Sequence, residues 1–192
     1  MLMLIAGLLV FLGVHSFRIS GENWRTALIT TRGEGLYKGM YSVVSAIGLG
    51  LLIWGYGLAR QEPIVLWQAM GWTRHLAALL MLISFVMLAA AYVPGNGIKS
   101  SLKHPMVLGV KVWALAHLLS NNTLADVLLF GSFLVWAVLD FRSSRQRDRK
   151  AGTVYAPGSL PRTAITVVMG VLGWAVFSFW AHGLLIGVKP LG

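Results

Sequence analysis

Five histidines, His15, His75, His104, His117 and His182, are the residues of this chain whose chemistry could reach beyond packing. Imidazole ligates metals, carries protons and changes charge near neutral pH. None falls in a long polar stretch. Each lies within or at the edge of an apolar run, where an ionisable group is costly unless it faces a bundle interior or serves a site. Two share the segment KHPMVLGVKVWALAHLL, residues 103–119, with Lys111 between them. On a helix, the seven-residue spacing puts His104 and Lys111 on one face, whereas His117 points about 140° away from His104. One small metal ion held by both from this helix is thereby excluded. The i, i+4 histidine pair with a neighbouring carboxylate, which a zinc-protease helix needs, is absent as well. Trp113, one turn before His117, places an aromatic wall on its face. The chain has no cysteine, which excludes disulfides, thiolate ligands and cysteine nucleophiles. Two imidazoles on different apolar helices, without sulfur, meet the ordinary requirement of a b-type haem with axial histidines.

The elements that must position these rings follow from composition. Of 192 residues, 57% are hydrophobic and only 11% charged, with a mean hydropathy of +0.73, far outside the soluble range. The expected fold is all-α, a polytopic transmembrane helical bundle forming a single domain over 1–192. At about 20 apolar residues per crossing, about six spans are expected, near 1–18, 35–59, 73–93, 105–121, 124–142 and 163–187. The first has no basic leader and no cleavage pattern before His15, and reads as a retained helix. Two connections of about 20 residues, 17–34 and 143–162, read as loops, the second carrying Pro157, Gly158 and Pro161 after a charge run. No Walker loop, dinucleotide fingerprint or nucleophile elbow is present.

Charge sets orientation. Twelve of the sixteen lysines and arginines lie in the connections after spans one, three and five, and three (Arg60, Arg74, Lys189) on the opposite side. The positive-inside rule then places both termini on the periplasmic side of a bacterial inner membrane. Topology accounts for the net charge of +10 without a nucleic-acid partner. Arg32 with Glu34, and Asp140 with Arg142, read as interfacial charge pairs. By depth, His75, His117 and His182 form one layer and His15 and His104 another, about 15 Å apart at 1.5 Å per residue. His75 and His182 are therefore alternative ligands beside His117, while Lys111 and His104 suit haem propionates or another anion.

The stretch KHPMVLGVKVWALAHLLSNN, with HS at 15–16 ahead of ITTRGEGLYKGMYSVVSAIGL, resembles the NnrU family of bacterial membrane proteins and, more distantly, zeta-carotene isomerase. The similarity runs from the first helix through span five. The NnrU resemblance implies a role in denitrification and nitric oxide metabolism. The isomerase resemblance implies haem b between two axial histidines, the HS and AH histidines, which fall on His15 and His117; His104 of the HP motif matches a position not implied as a ligand. Two positions depart from the isomerase: Ala114 stands where it has a cysteine, and Trp136 where it has a further histidine. A ligand switch through sulfur is thus impossible here.

Three functions are consistent with this reading. One is a haem-b protein of nitric oxide chemistry, acting by redox, sensing or assembly support. The second is a haem-dependent cis-trans isomerase of a polyene such as a carotenoid. The third is a cofactor-free membrane scaffold whose basic segment 142–162 meets a soluble partner or anionic lipid. Membrane lipid is a partner in all three; the oligomeric state is not specified by the sequence.

Overall fold

The computed structural model describes residues 1–68 and 70–191. Among them all regular structure is helical: α1 (Leu2–Ser20), α2 (Glu22–Arg32), α3 (Glu34–Ala59), α4 (Thr73–Tyr92), α5 (Gly97–Leu102), α6 (Pro105–Ser120), α7 (Leu124–Ala151), α8 (Leu160–Val176), a π turn (Phe177–Ala181) and α9 (His182–Ile186). Five helical stretches among the described residues are long and apolar enough to cross a membrane: α1, α3, α4, α7 and the run Leu160–Ile186. The sixth expected span, α6, has sixteen residues. At 1.5 Å per residue it is about 24 Å long, short of the ~30 Å hydrocarbon core.

Both expected loops are partly helical. Residues 22–32 form α2, opened by Glu22 and closed by Arg32, so each end carries the charge its dipole favours. Its apolar residues are too few to register as a span, which is why the stretch reads as a loop. The span expected to end at 142 continues to Ala151, because arginine, glutamine and lysine leave the bilayer without leaving the helix. The stop comes at Gly152, at φ 60°, a left-handed conformation that glycine adopts without strain.

Contacts divide the chain into two compact units. The first contains residues 1–67 and 122–143. Its core is Leu4, Leu8, Leu52, Ala59 and Ala125, with Phe11, Tyr56, Leu128 and Phe133 packed around them. Helices α1 and α3 meet backbone to backbone: a Cβ on Gly48 would lie 2.8 Å from the Phe11 nitrogen, and one on Gly55 would collide with Leu4. Small residues at such crossings replace the hydrophobic drive that lipid cannot supply. The start of α7 is fixed by a capping box. Thr123 donates its N–H and hydroxyl to Asp126 Oδ2 at 3.0 and 2.6 Å, and its Oγ1 accepts from the Asp126 N–H at 3.3 Å. Tyr56 donates to the other carboxylate oxygen at 2.6 Å, tying α3 to α7.

The second unit contains residues 68–121 and 144–192, of which Ala69 and Gly192 lie outside the description. Helix α4 packs against both α6 and α8. Ser84, fully buried, donates to the Gly109 carbonyl at 2.8 Å. Asn96, 1% exposed, caps α5 by accepting from the Lys99 N–H at 2.7 Å and donates to the Ala90 carbonyl at 2.9 Å. The polar atoms of both side chains thus have partners, as a low-dielectric interior favours, whereas the buried Trp174 Nε1 has none among the described residues.

Candidate functional site

His15 lies in the fourth turn of α1. Its Nδ1 is 2.7 Å from the Phe11 carbonyl oxygen, an acceptor only, so Nδ1 carries the hydrogen. In the neutral ring the lone pair then belongs to Nε2, the tautomer a metal-ligating histidine adopts when a carbonyl orients its other nitrogen. The ring stacks on Phe11 with centroids 4.2 Å apart. Tyr41 of α3 approaches to 5.2 Å and Trp136 of α7 to 6.0 Å, nearly perpendicular. The Trp136 Nε1 is buried and has no hydrogen-bond partner among the described residues. An orphaned donor beside an oriented imidazole suits a site that receives a polar group from outside the chain.

His117, in the second unit, repeats the arrangement. Its Nδ1 donates to the Trp113 carbonyl at 2.9 Å, and its ring meets the Trp113 ring at 5.3 Å. Phe11 and Trp113 each stand one turn before their histidine, supplying at once the ring that steadies it and the carbonyl that fixes its tautomer. Ala114, the position of the thiol in the isomerase, is fully buried.

The other histidines differ. His182 meets Phe177, one π turn earlier, edge-on at 5.6 Å, but its Nδ1 donates to the downstream Val188 carbonyl at 2.6 Å and not to that of the aromatic residue. His75 is exposed in the first turn of α4. Lys111 is half-buried on α6.

His104 caps α6 ahead of Pro105, next to Lys103, whose φ of 69° is the only positive value outside glycine among the described residues. Its Nε2 donates to Asp148 Oδ2 at 2.8 Å. The Tyr155 hydroxyl donates to the same oxygen at 3.1 Å, and Arg145 lies 3.8 Å away. Lys103 sits over the Tyr155 ring at 5.7 Å. Burial works against ionising Asp148, yet hydrogen bonds from His104 and Tyr155, with the charges of His104 and Arg145, hold its carboxyl below the ordinary carboxylate value. Burial and the Asp148 carboxylate push the Tyr155 phenol up. Thus His104, expected near an anion, has its anion within the chain.

Among the described residues, no group of three or more histidines and carboxylates converges to hold a bare metal ion. A prosthetic group held by single axial imidazoles needs no such group. The one-turn aromatics Phe11 and Trp113 were readable in the sequence, and so was the T-x-x-D capping box at 123–126. Asp148 and Tyr155 carried no local signal, because the partners of His104 lie 44 and 51 residues downstream.

No curated protein and no solved structure matches the chain. The family model described as "NnrU protein" matches residues 3–190, which takes in α1 to α9 and both oriented histidines. The sequence is therefore that of a multi-pass membrane protein, and the chain belongs to the NnrU family.

Proposed function

We propose that the chain holds haem b through the imidazoles of His15 and His117 and works in nitric oxide chemistry at the bacterial inner membrane, by redox, sensing or assembly support. The observation that carries this reading is the shared local design. Each ring lies against the aromatic one turn earlier, stacked on Phe11 for His15 and tilted against Trp113 for His117, and donates Nδ1–H to that residue's carbonyl, which leaves Nε2 as the basic nitrogen. Haem would supply a redox-active iron able to take nitric oxide. The residues of the chain orient the imidazoles, exclude water with aromatic rings and, at Trp136, offer an indole N–H. The nitric oxide assignment rests on family membership.

The test is the absorption spectrum of detergent-purified protein made with a haem precursor, oxidised and dithionite-reduced. We expect a Soret band with sharp reduced α and β bands, lost or displaced in both His15→Ala and His117→Ala and retained in His75→Ala and His182→Ala. A colourless wild type at good yield overturns the proposal and leaves the scaffold reading.

One observation favours the polyene-isomerase reading as a second: a shallow, largely apolar groove of about 500 Å³ is lined by Leu12, Ser16 and Leu139 and by Trp136, whose ring lies 6.0 Å from that of His15. That reading predicts double-bond isomer turnover by the reduced protein alone. Absence of turnover with a bound polyene removes it without touching the haem assignment.

A further inference from the structure

A second cavity in the first unit, about 330 Å³ in volume, lies between α1, α2 and α3. It falls at the low end of the ~300–1,000 Å³ range of ligand pockets. Its walls are almost wholly apolar and aromatic: Phe17, Trp24, Leu28, Tyr37 and Tyr41 line it, with Gly13 beneath. A Cβ built on Gly13 meets nothing within 4 Å. In α1, where Gly7 is pressed against α3 backbone, Gly13 therefore serves no helix crossing, and the space above it belongs to the cavity.

Arginines stand on the α2 side of the cavity, one of them, Arg25, already paired with Glu22 at 2.9 Å. Arg25 lies over the Tyr37 ring at 5.5 Å, and Tyr37 is itself a wall of the cavity. On α2, Arg25, Leu28 and Arg32 fall at i, i+3 and i+7, one stripe of the helix, and Leu28 is its lining residue. Residues 18–38 carry four cations against two carboxylates. Glu22 pairs with Arg25 at 2.9 Å and Glu34 with Lys38 at 3.0 Å, which leaves the segment with positive charge in excess. Trp24, stacked on Phe17 at 5.0 Å, is the type of residue that settles at the headgroup level of a bilayer. An apolar slot beneath an interfacial helix that carries arginines is complementary to a chain with an anionic head.

We infer that this cavity binds one acyl chain of an anionic phospholipid, its phosphate held at Arg25 and Arg32 and its hydrocarbon over Gly13. The site needs neither His15 nor His117, although its Tyr41 wall also faces the His15 ring at 5.2 Å.

Trp24 reports occupancy. The full chain and its Trp24→Phe variant, at matched haem content, are reconstituted in phosphatidylcholine vesicles containing a small fixed fraction of either phosphatidylglycerol or phosphatidylcholine with brominated acyl chains. The Trp24 contribution, taken as the difference between the two proteins, is expected to be quenched with about fivefold preference for the brominated phosphatidylglycerol. That is the factor about one interfacial cation contributes at the surface of an anionic membrane. Arg25→Gln should reduce the preference while leaving acyl quenching, and Gly13→Leu, which fills the slot, should reduce quenching by both lipids. Equal quenching by the two lipids overturns the anionic assignment. Quenching unchanged by Gly13→Leu in a folded, monodisperse variant overturns the site, and so does quenching by neither lipid, which would place a protein surface, such as a second copy of the chain, over the cavity. Should Gly13→Leu fail to fold, an unaltered preference in Arg25→Gln overturns the proposal alone.

Discussion

At Asp148 a single carboxylate oxygen takes a hydrogen bond from His104 and another from Tyr155, which couples the titrations of Asp148 and Tyr155 to one contact. The carboxyl is held below the unfolded value of 3.8. Its contribution is therefore present above about that pH and fades as pH falls through the lower folded value. Tyr155 is shifted the other way, above 10.0, so its contribution is complete below that pH and fades as the phenol ionises at still higher pH. Hydrogen exchange over residues 143–159 should thus accelerate at both extremes. Asp148→Asn should abolish the acid limb and Tyr155→Phe the alkaline one, the latter costing about 0.5–1.5 kcal/mol of local stability near neutrality. Exchange independent of pH after correction for intrinsic rates would refute this account. The histidines themselves were legible as the chemistry of the chain. Of the aromatic residues one turn upstream of His15 and His117, Trp113 was singled out in the sequence, whereas Phe11, in the same relation to His15, was not. What no spacing rule conveys is that His104 already has a carboxylate partner, since helix α7 and the turn after it bring Asp148 there across 44 residues.

At the scale of elements, the α1–α3 crossing is decided by atoms that are missing. Gly55→Leu should force the helices apart and cost about 1–3 kcal/mol or more, read as a fall in the thermal midpoint in detergent. Gly50→Leu on the same helix, where a Cβ meets nothing within 4 Å, should cost far less. Because leucine is the better helix former, a loss at Gly50 as large as at Gly55 would mean that the close approach to α1 is not what limits Gly55. The capping box offers a second check: Asp126→Ala removes the acceptor of Tyr56 and Thr123 together and should cost about 1–3 kcal/mol by the same measurement. Long apolar runs made α1, α3 and α4 legible to within a residue or two. Helix α2 was not, because its eleven residues are mostly polar and a hydropathy window passes over them. The end of α7 was misplaced because loss of hydropathy marks where a helix leaves the bilayer, not where it stops.

For the whole molecule, the asymmetry of lysine and arginine, with α6 as the sixth crossing, predicts that alkaline phosphatase fused to either terminus is active and that a fluorescent protein fused there is dark; the reverse pattern would invert the topology, and opposite signals at the two termini would mean that only the five longer stretches cross. A single domain over 1–192 predicts one cooperative thermal transition, with Gly55→Leu shifting all of it. Two transitions, of which the mutation moves one, would make the two units independent folding bodies. The last helical run holds a different kind of information. In the π turn at Phe177–Ala181, bonds reach one residue further than in the α-helices on either side, so the chain contains one residue more than a straight helix of that length would use. A helix tolerates such a surplus because its ends stay where they are. The surplus is also reversible: deleting one residue between 177 and 181 restores a continuous α-helix whose two ends, His182 included, face as they did before. The turn is thereby a splice at which the chain changes length by one residue without redirecting its last imidazole.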